Sequence, residues 1–197
     1  MAIDNGLALN DHSILYTELE DGYLATIQQP TLPEFTEVDV EVVTINRNGE
    51  STTEVFSFYT ADETPPRFEP VSPSADAQRV DPFTHIIIDA IDGYSGPDAY
   101  SIDISINNNL VVSDGYASDG YEIEFTDIED GLRLELIKDG SWPDFTLLDI
   151  NVSGQDLEGN SSSLSYYIST DDISSPVILN QSPDDGEKAF ASTDVVF

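Results

Sequence analysis

No cysteine occurs anywhere in the chain, which excludes disulfides, thiolate metal sites and a cysteine nucleophile. Cations are nearly as scarce. Six Lys plus Arg stand against 39 Asp plus Glu, a formal net charge of -33 over 197 residues. Nucleic-acid binding needs a basic face to displace counterions from phosphate, and six scattered cations cannot build one. The same field opposes an anionic membrane surface. The two histidines, His12 and His85, stand alone in sequence. No apolar run approaches a membrane span, so no membrane insertion is expected. The opening residues Met1-Ala2-Ile3-Asp4-Asn5-Gly6 carry no basic region and no apolar stretch, so no signal peptide is expected there. Serine-nucleophile, phosphate-loop and zinc-finger patterns are also missing. Disorder is disfavoured, because 39% of residues are hydrophobic and 10% aromatic, enough to bury a core.

An internal repeat is present. Leu32 to Ile87 aligns without a gap on Trp142 to Phe197, a shift of 110 residues. Pro33-Glu34-Phe35-Thr36 meets Pro143-Asp144-Phe145-Thr146, and Asp39-Val40-Glu41-Val42 meets Asp149-Ile150-Asn151-Val152. Thr60-Ala61-Asp62 meets Thr170-Asp171-Asp172, and Leu19-Glu20-Asp21-Gly22 matches Ile128-Glu129-Asp130-Gly131 with a one-residue slip. The alignment predicts one complete repeat over 64–173, the later part of a preceding repeat over 1–63, and the opening strands of a following one over 174–197. The last of these would include a strand at Val195-Val196-Phe197.

Apolar and polar residues alternate with a period of two. Val38, Val40 and Val42 alternate with Asp39 and Glu41; Ile102, Ile104 and Ile106 with Asp103 and Ser105; Leu132, Leu134 and Leu136 with Arg133 and Glu135. Each segment reads as a half-buried strand with carboxylates outward. Asp-Gly pairs at 21–22, 92–93, 114–115, 119–120, 130–131 and 139–140 read as turns, with Gly at positive φ. Strands are expected near 67–72, 83–90, 100–106, 109–113, 121–126, 131–137, 146–154 and 163–170. The fold class is therefore all-β, built from antiparallel β-sandwiches.

Several segments follow a known order: the joint Asp62-Glu63-Thr64-Pro65-Pro66, Pro70-Val71-Ser72-Pro73, the strand Ile86-Ile87-Ile88-Asp89, Asp92-Gly93-Tyr94-Ser95-Gly96, and the late Val152-Ser153-Gly154-Gln155-Asp156-Leu157-Glu158-Gly159-Asn160. Together they resemble tandem bacterial Ig-like (Big-type) repeats. Such repeats occur in large bacterial surface adhesins and in virion structural proteins of tailed phages. The resemblance covers the chain as one full copy and two partial copies, and it implies tandem Ig-like sandwiches. The first copy departs from the pattern at its hairpin, Asn46-Arg47-Asn48-Gly49-Glu50.

Candidate sites are few. Asp156, Glu158 and Asn160 have the spacing of oxygen ligands for Ca²⁺, although a tight hairpin with Gly159 left-handed explains them first. Asp62 and Glu63 at one joint, and Asp171 and Asp172 at the next, could hold Ca²⁺ or form a solvated acidic linker. Asp89, Asp92 and Asp98 could form a second cluster, but they suit turn caps better. Paired carboxylates also raise glycoside hydrolysis, yet no pair is marked as desolvated, and no catalytic residue is assigned. Tyr94, Tyr100 and Tyr116 could bind a ligand such as a glycan. With Tyr121 and Trp142 they are placed in the core first, because sandwich aromatics usually pack there.

The expected function is a non-enzymatic spacer of an extracellular assembly, a phage virion (tail, fibre or surface) protein, with a bacterial adhesin stalk or a carbohydrate-binding module as alternatives. The expected partners are other copies or neighbouring subunits, and host-surface glycans. The expected location is the virion or the cell surface.

Overall fold

A computed structural model describes residues 3–4, 7–8, 13–28, 31–177, 182, 185–186 and 188. His12 and the strand expected at Val195-Val196-Phe197 lie outside the described residues. The strands in chain order are β1 (Ile3–Asp4), β2 (Leu7–Ala8), β3 (Ser13–Leu19), β4 (Gly22–Gln28), β5 (Glu37–Ile45), β6 (Ser51–Tyr59), β7 (Arg67–Ser72), β8 (Ile86–Ile91), β9 (Asp103–Ile106), β10 (Asn109–Ser113), β11 (Tyr116–Ala117), β12 (Tyr121–Ile128), β13 (Gly131–Lys138), β14 (Leu147–Gln155) and β15 (Ser161–Ser169). A single 3-10 turn covers Ala99–Ser101, and no α-helix occurs among the described residues. No described helix is therefore long and apolar enough to cross a membrane.

From β7 onward the strands form two antiparallel sheets, ordered β11-β10-β9-β14-β15 and β12-β13-β8-β7. The period-two alternation is the cause. Ile86, Ile88 and Ala90 of β8 and Leu134 and Leu136 of β13 face Ile104 and Ile106 of β9, Leu148, Ile150 and Val152 of β14, and Ile168 of β15 in one buried cluster. The intervening residues point outward. Arg133 sits opposite Asp89 in the ladder and makes a two-pronged ion pair with it, 2.7 and 2.9 Å. Pro70, which has no N–H to donate, falls on the edge strand β7 beside a register shift, where a central strand would not tolerate it.

Two strands start three residues later than expected, and three of the six Asp-Gly pairs, at Gly22, Gly93 and Gly131, do not put glycine at positive φ. β8 starts at Ile86 because Asp81 accepts from Phe83 N and Thr84 N in a turn, leaving His85 just before the strand. β9 starts at Asp103 because Asp98 caps the 3-10 turn by accepting from Tyr100 N. At the β12–β13 turn Asp130, not Gly131, takes the positive φ of 56°. Gly131 serves another purpose. A Cβ there would stand 2.2 Å from the Ala90 carbonyl oxygen of β8.

β5–β6 and β14–β15 are the same hairpin 110 residues apart. Glu37 pairs Tyr59 and Ile45 pairs Ser51 in the first, as Leu147 pairs Ser169 and Gln155 pairs Ser161 in the second. The approach turn is also shared. Thr36 N donates to Thr60 Oγ1 at 2.9 Å and Thr146 N to Thr170 Oγ1 at 2.8 Å, with Phe35 and Phe145 both at positive φ. Burial separates the copies. Tyr166 and Ile168 are 6% and 1% exposed, whereas Phe56 and Phe58 at the matching positions are 54% and 40% exposed. Only the second hairpin has a sheet across from its apolar face among the described residues.

Two substitutions probe this packing. The Tyr166 hydroxyl is buried without a hydrogen bond, and burial pushes its pKa upward. Tyr166→Phe, the residue type of the other copy, removes that unpaired group and raises stability by up to about 1–2 kcal/mol in urea unfolding. The unfolding is followed by the buried Trp142. Gly131→Ala lowers stability by at least about 2 kcal/mol, because backbone must move. Gly22→Ala, at the aligned hairpin with nothing within 4 Å, leaves the same transition unchanged.

Candidate metal centre

Three aspartates converge at one end of the sandwich, each placed by a strand end or the joint. Asp92 and Asp156 are the first residues after β8 and β14, and Asp62 lies in the joint between β6 and β7. Every one is held by its own turn. Asp62 Oδ1 accepts from Thr64 N at 3.0 Å, and Oδ2 reaches across the joint to Ser95 N at 2.9 Å. Asp92 Oδ1 accepts from Tyr94 N at 2.9 Å, while Asp92 N donates to Asp130 O at 2.8 Å. Asp156 Oδ1 accepts from Glu158 N and Asn160 N at 3.0 and 2.8 Å, and Oδ2 from Asn160 Nδ2 at 2.7 Å. Asn160 Nδ2 also donates to Asp62 O at 2.9 Å, which ties the hairpin to the joint. Gly159, at a φ of 92°, supplies the left-handed residue that closes this hairpin.

One carboxylate oxygen from each aspartate lies within 4.8 Å of the others. Asp62, Asp92 and Asp156 are only 3%, 7% and 2% exposed. Asp92 Oδ2 is buried and accepts no hydrogen bond. The described ion pairs are Arg67–Glu69, Arg79–Asp171, His85–Glu135 and Arg133–Asp89, so none neutralises the triad. Two unit charges 4.8 Å apart repel by about 3 kcal/mol at an effective dielectric near 20. Burial pushes the Asp92 carboxyl above its ordinary value against the Tyr94 and Gly96 N–H groups, and the charges of Asp62 and Asp156 push it further. Burial also acts upward on Asp62. There Ser95, whose N–H bonds Oδ2, and the Thr64 N–H outweigh it and hold the carboxyl below its ordinary value. The two neighbours are thus driven apart, with Asp92 the group that resists ionisation.

All donors in this group are hard carboxylate oxygens, with no histidine or thiol among them. Ca²⁺ binds oxygen at about 2.3–2.6 Å, so two oxygens sharing one ion lie at most about 5 Å apart. The cluster meets that limit.

Of the residues expected at metal sites, Asp62 and Asp156 come together here. Glu63 and Glu158 point to solvent, and Glu158 contributes only its N–H. Asp171 is held by Arg79, with Nε to Oδ1 at 3.0 Å, which keeps its carboxyl below its ordinary value. Asp172 accepts from Ser174 N at 3.0 Å in the turn that Asp62 makes with Thr64. The cluster of Asp89, Asp92 and Asp98 does not form: Asp89 pairs with Arg133, Asp98 caps a turn, and Asp92 joins the other two strand-end residues. The sequence signal for Asp92 was its place immediately after a strand, a place it shares with Asp156.

Among the aromatics, Trp142 and Tyr121 pack together with ring centroids 6.0 Å apart, and Trp142 Nε1 donates to Thr84 O at 2.9 Å. Tyr94, Tyr100 and Tyr116, placed in the core by the sequence reading, are instead exposed. Tyr94 lies in the turn after β8, Tyr100 in the 3-10 turn, and Tyr116 on the two-residue edge strand β11. Tyr100 and Tyr116 are 6.1 Å apart and beside one another. Compared with known proteins, the chain matches no family model and no curated sequence.

The electrostatics of Asp92 set a pH dependence. Its folded-state pKa is raised from 3.8, so its favourable contribution is complete below 3.8 and is lost as pH rises through the folded value. In EDTA at neutral pH, Asp92→Asn therefore raises the melting temperature by a few degrees. The gain closes as pH falls below 3.8. An equal gain at both ends of the pH range would mean that Asp92 is not strained by its neighbours.

Proposed function

We propose that the chain is a non-enzymatic spacer of an extracellular assembly, built from tandem Ig-like sandwiches. In this reading 64–173 is one complete repeat, 1–63 the later part of a preceding one, and 174–197 the opening of a following one. The observation that carries it is the pair of hairpins 110 residues apart, which share register, approach turn and exit turn. A unit copied together with its joint is what a linear array requires. Each sandwich stands on its own core, and short Pro-containing joints set the spacing. The net charge of -33 keeps copies apart, with screening limiting self-repulsion within about 8–10 Å. A tailed-phage virion protein is the preferred setting, and a bacterial adhesin stalk uses the same design.

A second reading, carbohydrate binding, is favoured by the exposed Tyr100–Tyr116 pair beside a polar groove lined by Asp98, Ser101, Asp103 and Asp114. Glycan-array binding by the full chain that disappears in Tyr100→Ala would support it over the spacer.

Mechanical autonomy is the testable property of a spacer. Pulled from its termini, the full chain unfolds its sandwich in one abrupt step. That step lengthens the contour by roughly 30–40 nm, as expected for about 110 residues at ~3.5 Å each. Gradual extension without a force peak would overturn the reading.

A further inference from the structure

We infer that Asp62, Asp92 and Asp156 together hold one Ca²⁺ ion, which clamps the joint before β7 onto the end of the sandwich. The inference concerns the buried triad itself and stands whether or not the chain serves as a spacer.

Turn capping explains only part of the arrangement. A carboxylate offers about four lone-pair sites. Asp156 fills three of them with Glu158 N, Asn160 N and Asn160 Nδ2, and Asp62 receives Thr64 N and Ser95 N. Asp92 receives Tyr94 N at Oδ1, with the Gly96 N–H also acting on the carboxyl, yet its second oxygen is buried without a hydrogen-bond partner. A cap needs one oxygen at the surface of a turn. It does not need a second one sunk beside two other carboxylates. Buried charges are paired or coordinate metals, and no described Lys, Arg or His pairs these. A divalent cation supplies the missing charge and the missing partner at once. The remaining positions of a six- to eight-oxygen shell fall to water and backbone carbonyls.

The ion would be calcium in preference to magnesium. Each carboxylate is anchored by its own turn, so the three cannot contract freely around an ion that demands near-ideal octahedral geometry at about 2.0–2.1 Å. Calcium accepts irregular shells at longer range.

The consequence is structural. Asp62 lies outside the two sheets, 30 residues before Asp92 and 94 before Asp156. A shared ion fastens the incoming chain to the loop after β8 and the hairpin after β14. The exit joint carries the same first element, since Asp172 repeats the turn of Asp62. The β5–β6 hairpin carries a changed one. Asn46 and Glu50 stand where Asp156 and Asn160 do, with the crosswise bond kept from Asn46 Nδ2 to Glu50 Oε2 at 2.7 Å. The carboxylate has moved four residues along the turn, away from the strand end.

The test titrates CaCl₂ into the full chain by calorimetry in about 0.15 M KCl, where screening near 8 Å weakens diffuse surface binding. Thermal unfolding is followed in parallel. One saturable site is expected, with a melting rise of at least about 5 °C at calcium 100-fold above Kd and a much smaller rise with MgCl₂. Asp92→Asn abolishes both the site and the calcium-dependent rise, and Asp62→Asn weakens the site at least about tenfold. Asp98→Asn and Asp172→Asn leave both unchanged. Hydrogen exchange at the amides of Thr64 and Ser95 slows on adding calcium. Trp142 fluorescence verifies that each variant is folded. The absence of a saturable site, its retention in folded Asp92→Asn, or an equal response to magnesium would each overturn the proposal.

Discussion

A strand that alternates apolar and acidic residues has one face to bury, and a single antiparallel hairpin cannot bury it. Packing one such face against another is the constraint from which the rest of this structure follows. Where both sheets are present, Ile86, Ile88, Leu134 and Leu136 close against Ile104, Ile150 and Ile168, and the acids remain in water. Where the described residues supply only a hairpin, as in β5–β6, the same register forms with its apolar face open. Local pairing and turn chemistry thus suffice for the hairpin, while burial depends on a second sheet.

Closing the sandwich also fixes where strand ends lie. β8 and β14 belong to opposite sheets, yet both finish at the end that the joint enters. The residue after each strand is an aspartate engaged in its own turn, so local capping and global packing together force two carboxylates toward a third. The strain falls on Asp92, whose second oxygen is buried without a hydrogen bond, while both oxygens of each neighbour accept one. Like charges held together by turns store repulsion that a cation would relieve.

The two hairpins act as an internal control on what a sequence change does. Asp156 and Asn160 exchange acid and amide with Asn46 and Glu50, and the turn keeps its bonding pattern. Backbone geometry is indifferent to which end carries the charge. The charge position matters only to whatever lies beyond the turn, which for Asp156 is Asp62 and Asp92.

By itself the sequence determined the strands, their alternation, the 110-residue repeat and the turn residues, because these depend on neighbours within a few positions and on a period of two. It placed Asp62 at a joint and Asp156 in a hairpin for the same reason. Only the tertiary structure decided that Asp62, Asp92 and Asp156 meet, since they stand 30 and 64 residues apart and nothing local encodes their approach. It also decided that Gly131 faces the Ala90 carbonyl, that Asp171 is taken by Arg79, and that Tyr100 and Tyr116 lie outside while Trp142 lies within. Each of these outcomes turns on which strand ends up beside which, a matter of packing two faces together and not of any single segment's preference.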